Sequence, residues 1–196
     1  MNEIAQVHFC DVTVEGERWP VIGWTIATSG GTVLVDTGMV ESTPQLDADW
    51  SPVIFDWDVP NVAAVVNTHL HFDHCGGNRR YAGLPTYVQR RELESARAPA
   101  YLEEWVRFPG DSYVELDGDA ELFDGVSVLS TPGHSAGHQA VVVHNADGLV
   151  VLGGDVTYSM RELIDGATDS IRRIHDLRPA QVYLAHHERP WAPEYD

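Results

Sequence analysis

Apolar, β-branched runs separated by short polar turns recur along most of the chain and predict a protein rich in β-strands. Residues 20–38 contain two such runs joined by SGG at 29–31, a hairpin pattern that ends in the turn DTG at 36–38. The run VAAVV at 62–66 is apolar at every position, which is typical of a strand buried on both faces. By the same criteria, further strands are predicted at 85–89, 126–131, 138–144, 149–154 and 181–185.

The segments between these strands predict helices and one long loop. Residues 90–108 are helical in composition but are interrupted by Pro99, and a second helix is predicted over about 168–177. The turn sequence NADG at 145–148 joins two of the predicted strands. Residues 41–60 are rich in proline and aspartate, so a long loop with an apolar side is predicted there.

Length and composition indicate one globular domain. A chain of 196 residues can bury one substantial core, so we assign residues 1–196 to a single domain. No segment has the apolar length needed to cross a bilayer, so a membrane is not an expected partner. The N-terminal residues lack the basic and apolar regions of a secretory signal peptide, and a cytoplasmic location is therefore expected.

The charge of the chain disfavours nucleic acid as a partner. The formal net charge is -18, and all 12 basic residues are arginines scattered along the sequence. Because phosphate backbones are bound mainly through lysine and arginine, such a chain is a poor candidate for binding them. Bound divalent cations would offset part of the negative charge. The two cysteines, Cys10 and Cys75, are too few for a disulfide framework.

Three histidines and an aspartate follow the predicted strand at 62–66. In the stretch THLHFDHCGGN they are His69, His71, Asp73 and His74. Alternate side chains of an extended segment point to the same side, so His69 and His71 can bind one cation, while the other two can face a second. Imidazole and carboxylate suit zinc and also accept iron, manganese or cobalt. The cluster therefore predicts a metal site, which we favour over a chance grouping.

Three other predicted strands end in residues of the same chemistry. They lead to His134 in TPGHSAGH, to Asp155 in GGDVTY and to His186 in LAHHE. Loops that follow strands at one edge of a sheet lie close together, so we expect these residues to join the cluster. Isolated histidines elsewhere are interpreted as surface or core residues: His8, His144 and His175.

The order and spacing of these residues resemble those of the metallo-β-lactamase superfamily, whose early Asp-Thr-Gly turn is matched at 36–38. The resemblance covers most of the chain. It implies an α/β fold of the αββα sandwich type, with two mixed β-sheets face to face, helices on the outer faces and two divalent metal ions at one edge. Zinc is expected first, with iron, manganese or cobalt as alternatives. The implied ligands are His69, His71 and His134 for one ion, Asp73, His74 and His186 for the other, and Asp155 for both.

Within the superfamily the sequence is most similar to the N-acyl homoserine lactonases, through THLHFDHCGGN, TPGHSAGHQ and the spacing of Asp155 and Tyr158. The resemblance implies quorum quenching, in which metal-bound hydroxide opens the lactone ring. Tyr158 would polarise the lactone carbonyl, and Asp73 would pass a proton to the leaving ring oxygen. The chain departs from those lactonases in a shorter segment before His69, a shorter segment between Asp155 and the last histidine, and Ala185 in place of a common glycine.

Other activities of the same metal site remain alternatives. A broader lactone or aryl ester hydrolase would use the same residues. A glyoxalase II-like thioesterase would need basic residues to hold an anionic glutathione-like group, and this chain offers few. From a different class, the protein could bind metal without turnover, although the full set of predicted ligands argues against this.

Further side chains are predicted to support the site. Asp36 and His138 are candidates for holding ligand imidazoles in place; turn formation is the alternative for Asp36, and a purely structural role is favoured for His138. For Tyr158 the alternative is packing near a strand end. Five aromatic residues could line an apolar channel for the acyl chain, with core packing or a homodimer surface as the alternatives: Trp50, Phe55, Trp57, Trp105 and Phe108.

Overall fold

Two mixed β-sheets lie face to face in the computed structural model, which describes residues 2–98, 101–146 and 148–195. Pro99 and Asp147, where the sequence predicts a helix break and part of a turn, lie outside these residues. The first sheet has the strand order β4-β1-β2-β3-β5-β6-β7. Its strands are β1 (Glu3–Val14), β2 (Glu17–Thr28), β3 (Gly31–Val35), β4 (Val53–Ile54), β5 (Val62–Val66), β6 (Thr86–Gln89) and β7 (Tyr113–Leu116).

The second sheet has the order β12-β11-β10-β9-β8. Its strands pair antiparallel except for the parallel pair of its first two members, which leaves β12 at one edge. The strands are β8 (Ala120–Phe123), β9 (Val126–Ser130), β10 (Gln139–Asn145), β11 (Gly148–Leu152) and β12 (Gln181–Tyr183). The helices of the described residues are α1 (Pro44–Trp50), α2 (Phe72–Cys75), α3 (Arg90–Ser95), α4 (Glu103–Val106), α5 (Met160–Asp165) and α6 (Asp169–Asp176), with a 3₁₀-helix at Asn78–Tyr81.

Apolar side chains from both sheets fill the space between them. Trp24 of β2 and Val66 of β5 pack in one cluster with Val141 of β10 and Leu152 of β11, and all four are fully buried. Each strand therefore contributes alternate residues to this central layer. This packing confirms the predicted face-to-face arrangement of the two sheets.

Helices cover the outer faces of the sheets. Leu46 of α1 and Trp105 of α4 pack with Phe9 and Leu34 of the first sheet. On the other side, Leu163 of α5 and two isoleucines of α6 pack against the second sheet. The molecule is thus layered as helix, sheet, sheet and helix, as the sequence predicted. No helix of the described residues is long and apolar enough to cross a membrane.

Several predicted boundaries need correction. The predicted loop at 41–60 contains α1, because Thr43 caps its first turn through the N–H of Leu46 and Pro44 occupies a first-turn position that needs no N–H donor. In the described part of the helical segment predicted at 90–108 there are two short helices, α3 and α4. The strands β1, β7 and β8 and the helix α5 were not predicted. The buried strand at 62–66 and the helix near 168–177 are confirmed.

The first two strands form a long hairpin that becomes one wall of the site. They pair from Glu3 opposite Ala27 to Val14 opposite Glu17. The two connecting residues both have positive φ, 51° at Glu15 and 85° at Gly16, as a tight two-residue hairpin turn requires. Glutamate is an unusual residue for that conformation, so this turn was not predicted from the sequence.

Candidate metal centre

Four loops, each following a buried strand, meet at one edge of the sandwich. They follow β5, β9, β11 and β12, and each contributes residues of the predicted cluster. The loop after β5 turns at once into the short helix α2, which separates Asp73 and His74 from the extended residues His69 and His71. The rigid sheets therefore fix the backbone positions of the ligand residues.

Three imidazoles form the first group. The Nε2 atom of His69 lies 3.0 Å from Nδ1 of His71 and 3.1 Å from Nε2 of His134, and the latter two atoms are 2.9 Å apart. In a tetrahedral site with metal–nitrogen bonds of about 2.1 Å, neighbouring nitrogens are about 3.4 Å apart. Three ring nitrogens at mutual distances this short cannot all be satisfied by protons, whereas one cation between them satisfies all three.

The second group combines a carboxylate with two imidazoles. The Nε2 atom of His74 lies 3.6 Å from Oδ2 of Asp73, and Nε2 of His186 lies 3.8 Å from the same oxygen. The three side chains can offer ligand atoms that all lie within 4.8 Å of one another. Because His74 is fully buried, its ring has no solvent partner on this side.

Asp155 stands between the two groups. Its Oδ2 atom lies 3.6 Å from Nε2 of His134 and 3.3 Å from Nε2 of His186, while its Oδ1 atom lies 3.4 Å from Nε2 of His74. Asp155 therefore lies within reach of both groups, as expected of the bridging ligand that the sequence resemblance implied.

Two buried polar atoms test whether these residues fit a metal. Nε2 of His74 and Oδ1 of Asp155 are both buried without a hydrogen-bond partner among the described residues. Leaving such atoms unpaired costs about 1–3 kcal/mol each, and a cation would satisfy both. The seven side chains therefore fit a site for two divalent metal ions.

The protonation tendencies of the histidines differ between the two groups. Burial lowers the pKa of His69 and His71 and lowers that of His134 to about 4, so these three imidazoles are neutral, the form that binds a metal. Burial also acts on His74 and His186, but nearby carboxylates, Asp155 foremost, raise the pKa of both above the ordinary value. The histidines of the second group thus experience a more negative electrostatic environment than those of the first group.

An apolar pocket of about 350 Å³ opens onto both groups. One wall is the β1–β2 hairpin, through Val12, Val14 and Trp19, and the opposite wall is Trp50 of α1 together with Phe72. Among the described residues that line it there is no arginine, and the charged side chains belong to the two groups. The pocket therefore suits a substrate whose part remote from the metals is apolar and uncharged.

Tyr158 lies at the mouth of this pocket, over the first group. Its hydroxyl is 3.0 Å from Nδ1 of His134, and its ring lies 5.5 Å from that of Trp19 and 5.7 Å from that of His186. The side chain is 44% exposed, so it is not a core residue. Partial burial, then Asp155 and Asp73, raise the pKa of Tyr158, so its hydroxyl keeps its proton at neutral pH.

Comparison with known proteins agrees with this geometry. The family model described as the metallo-beta-lactamase superfamily matches residues 20–192. The chain belongs to this superfamily. Among relatives, an N-acyl homoserine lactonase of Bacillus cereus is 32% identical over 171 residues, which cover 74% of this chain and 67% of that protein. The N-acyl homoserine lactonase AttM of Rhizobium radiobacter is 28% identical over 184 residues, 76% of this chain and 68% of the relative.

Solved structures of the superfamily extend the agreement to the whole fold. A quorum-quenching N-acyl homoserine lactone lactonase superposes with a TM-score of 0.82 at 26% identity, covering 93% of this chain and 91% of that one. An N-acyl homoserine lactone hydrolase with N-hexanoyl-L-homoserine at its catalytic metal centre has a TM-score of 0.80 at 27% identity, covering 94% and 92%. The chain spans only about two thirds of the length of the curated relatives.

Asp36 takes a supporting position in this superfamily site. Its carboxylate accepts hydrogen bonds from the N–H and the hydroxyl of Thr68, at 2.7 and 2.8 Å, and lies 2.9 Å from Nδ1 of His74. With its proton on Nδ1, the His74 ring directs the lone pair of Nε2 toward the second group. Asp36 also holds a left-handed backbone conformation, with φ 60°, at the end of β3. Asp36 thus combines the two roles considered from the sequence: it contacts a ligand imidazole, and it takes the backbone conformation of a turn.

His138 supports a different group from the one the sequence suggested. Its Nδ1 atom donates toward the carbonyl of Thr131 at 3.1 Å, and its Nε2 atom accepts the backbone N–H of Asp155 at 3.1 Å. Burial lowers the pKa of His138 to about 3, which keeps the ring neutral and able to accept. His138 therefore fixes the backbone of Asp155 rather than a ligand imidazole.

Of the five aromatic residues predicted to line an acyl channel, the structure places only Trp50 on the pocket wall. Trp57 packs edge-on against Phe9, and Trp105 is buried in the same core cluster. Phe55 is 37% exposed and contacts His8 edge-to-face, while Phe108 does not line the pocket. Trp50, the last residue of α1, is therefore the one of the five that remains a candidate to contact an acyl chain.

Sequence reasoning missed the hairpin wall and one support of the second group. The carbonyl of Pro20 accepts a hydrogen bond from Nδ1 of His186 at 2.8 Å, and the N–H of Ile22 donates to the carbonyl of Ala185 at 2.9 Å. These contacts join β2 to the loop that carries His186, and Pro20 and His186 lie 166 positions apart in the sequence. Only the apolar alternation at Val12 and Val14 could have pointed to the wall.

Proposed function

We propose that this chain is a metal-dependent hydrolase that opens the lactone ring of N-acyl homoserine lactones with two divalent metal ions. One observation carries the proposal: the seven ligand side chains and the Tyr158 hydroxyl converge at the end of one apolar pocket. A lactone with an acyl tail matches this layout, because its ester belongs beside the metals and its tail belongs against the hairpin. The named relatives, which are such lactonases, support the same assignment.

Each ligand group would hold one ion. His69, His71 and His134 form the first set and Asp73, His74 and His186 the second, with Asp155 shared. Bound there, two divalent cations would supply Lewis acidity and a water of lowered pKa, which ester hydrolysis needs at neutral pH. Zinc is the metal that we propose first, because imidazole and carboxylate ligands suit it.

Tyr158 would act on the acyl carbonyl. Its protonated hydroxyl, at the mouth of the pocket, can donate a hydrogen bond to the carbonyl oxygen as negative charge develops there. This donor gains strength in the transition state relative to the ground state, and that difference accelerates the step. Water adds to the carbonyl carbon, and the bond between that carbon and the ring oxygen then breaks.

Asp73 would complete the proton balance. It lines the pocket and is nearly buried, with one oxygen facing both His74 and His186. A carboxylate at this position can take the proton of the attacking water and deliver it to the ring oxygen as that oxygen leaves. The product is then an open-chain hydroxy acid, the N-acyl homoserine.

The pocket discriminates between this substrate class and the thioester alternative. A glutathione-like group carries net negative charge, whereas the charged residues that line the described pocket, Asp73 and Asp155, are acidic, and no described arginine lines it. An aryl ester would also fit an apolar wall, so a broader ester hydrolase is the second candidate. Its ring would have to replace the acyl tail against Trp19.

A side-by-side assay tests the proposal. The purified chain is given N-hexanoyl homoserine lactone, a long-chain N-acyl homoserine lactone, an aryl ester and a glutathione thioester, and kcat/KM is measured for each. We expect the two homoserine lactones to give the highest values and the thioester the lowest. A ranking with the lactones last would contradict the assignment. A cytoplasmic location and a homodimer are further proposals, which fractionation and mass measurement in solution test.

A further inference from the structure

A buried carboxylate outside the ligand set lies beside the three-histidine group. Glu92, in the first turn of α3, is fully buried. Its Oε1 atom accepts hydrogen bonds from the N–H of Leu70 and the hydroxyl of Tyr101, both at 3.0 Å. Its Oε2 atom accepts from the hydroxyl of Ser135 at 2.7 Å and the N–H of Gly137 at 3.0 Å. Four donors from three separate segments thus meet on one side chain.

The donors all belong to the surroundings of one metal group. Leu70 lies between His69 and His71, so its N–H fixes the backbone that aims both rings. Ser135 follows His134 directly, and Gly137 closes the same loop. Tyr101 packs its ring against that of His71, with centroids 5.0 Å apart. Glu92 therefore contacts the support of every ligand of the first group without touching a ligand itself.

The second metal group has other supports. Asp36 orients His74, and the carbonyl of Pro20 orients His186. Neither contact involves α3. Among the described residues, the contacts of Glu92 serve the surroundings of the first group, whereas Asp36 serves both groups. Asp36 lies 2.9 Å from Nδ1 of His74 and accepts a hydrogen bond from the hydroxyl of Thr68, whose oxygen is 3.1 Å from Nδ1 of His69.

The loop packing shows that Glu92 and the His134 loop are fitted to each other. A Cβ at Gly137 would lie 2.2 Å from the backbone nitrogen of Glu92 and 2.6 Å from its Cβ, so only glycine permits this approach. A buried carboxylate with fewer donors would carry a large desolvation cost, which the four hydrogen bonds offset.

From this geometry we infer that Glu92 is a positioning residue for the metal ion bound by His69, His71 and His134. Loss of Glu92 lowers the affinity for that ion and leaves the affinity for the other ion unchanged. The inference rests on the proposed two-metal function. Substitution of residues that orient metal ligands typically lowers metal affinity about 10- to 100-fold. In Glu92→Gln, an amide NH₂ replaces one acceptor oxygen and faces N–H donors, so at least one of the four bonds is lost.

The test follows metal retention in the full chain as purified. Wild-type protein, Glu92→Gln and the control Glu94→Gln, an exposed residue of the same helix, are dialysed against increasing concentrations of a chelator. Bound metal is then counted by elemental analysis. We expect the wild type and the control to hold two equivalents, and Glu92→Gln to release one of them at a chelator concentration about tenfold or more lower. Far-ultraviolet circular dichroism checks that each variant is folded.

Further variants keep the inference falsifiable if Glu92→Gln does not fold. Ser135→Ala and Tyr101→Phe each remove one donor. The double variant should release the same metal equivalent at a lower chelator concentration than the wild type, by a smaller factor than Glu92→Gln. Retention of both equivalents at wild-type chelator concentrations, or equal weakening of the two, would overturn the role of Glu92. A wild-type chain that holds fewer than two equivalents would instead overturn the proposed function on which this role depends.

Discussion

The hydroxyl of Tyr158 is the single side-chain group outside the ligand set that we expect to act on the substrate. It lies beside His134 at the pocket mouth and keeps its proton because of its raised pKa. Its ring also packs near Trp19, so removing only the oxygen should leave that packing intact.

Tyr158→Phe should therefore lower kcat for an N-acyl homoserine lactone by about a hundredfold, as for the loss of one hydrogen-bond donor to a developing oxyanion. Bound metal should remain at the wild-type level. Tyr195→Phe, at another exposed tyrosine, serves as the control. Steady-state kinetics and elemental analysis together check this, and unchanged kcat would remove Tyr158 from the proposed mechanism.

Asp36 offers a second residue-level test, directed at the other metal group. Asn also tolerates a positive φ, so Asp36→Asn should keep the turn while replacing one acceptor oxygen by a donor beside Thr68 and His74. We expect the ion held by His74 to be released at a chelator concentration about tenfold lower than in the wild type. Metal counting after dialysis measures this, and full retention of both ions would show that His74 is held by its surroundings alone.

Residue chemistry was the part of the site most open to prediction from sequence. Clustered histidines and an aspartate predict a metal site from residue type and spacing alone, and the structure brings the proposed ligands together. The supports could not be predicted in the same way. His186 contacts the carbonyl of Pro20, 166 positions away, and Glu92 sits in an unremarkable helical segment. Such contacts depend on how loops pack, and no local pattern encodes that.

Among the elements, the β1–β2 hairpin is the one that shapes the pocket. Its long antiparallel pairing carries Val12, Val14 and Trp19 to the wall opposite Trp50. The acyl tail of a bound lactone would lie against this wall. Trp19 has the largest side chain there, so it sets the depth that remains for the tail.

Trp19→Ala should weaken binding of a short tail and favour a longer one. Losing part of this contact costs about 1 kcal/mol, or about a fivefold rise in KM for N-hexanoyl homoserine lactone. The ratio of kcat/KM for a dodecanoyl to a hexanoyl substrate should increase, because the space left by the indole can take extra methylenes. Arg18→Ala, at the exposed neighbouring position, is the control. A ratio equal to that of the wild type would place the tail elsewhere.

Close packing of the loop at 131–138 on α3 gives a second test at this scale. Gly137→Ala should destabilise the fold by about 1–3 kcal/mol, because the new Cβ would overlap the backbone of Glu92. Gly30→Ala is a matched control, since a Cβ there meets its nearest neighbour at 3.8 Å. Chemical denaturation of both variants measures the difference. Equal free energies of unfolding would show that the loop can move away without cost.

Element prediction from sequence succeeded where one signal dominated. The apolar run at 62–66 and the segment at 168–177, with its capping threonine, both lie where expected. A loop was predicted at 41–60 because Thr43 and Pro44 are common in loops as well as at helix starts. Whether such residues begin a helix depends on tertiary packing, which here is the packing of Leu46 in the core. Of the five predicted channel aromatics, Trp57 and Trp105 are core residues, because both pack in the cluster that includes Phe9 of the first sheet.

For the whole molecule, the sandwich explains why the site can be both buried and accessible. The two sheets enclose a dry core, and the ligand loops close one edge of it while the hairpin and α1 leave a pocket open. The layer order followed from the resemblance to a known superfamily and is now matched by the family comparison and by solved structures. Asp36, Asp73 and Asp155 are buried carboxylates at this edge, and two bound cations would offset their negative charge.

The most direct test of the account is the rate of N-hexanoyl homoserine lactone opening, measured as the content of bound metal is varied between none and two equivalents per chain. We predict negligible hydrolysis without metal and full activity only when both equivalents are bound, since each ligand group contributes to the same reaction. Hydrolysis at the full rate by metal-free protein would contradict the account. So would a fully loaded chain that leaves the lactone intact.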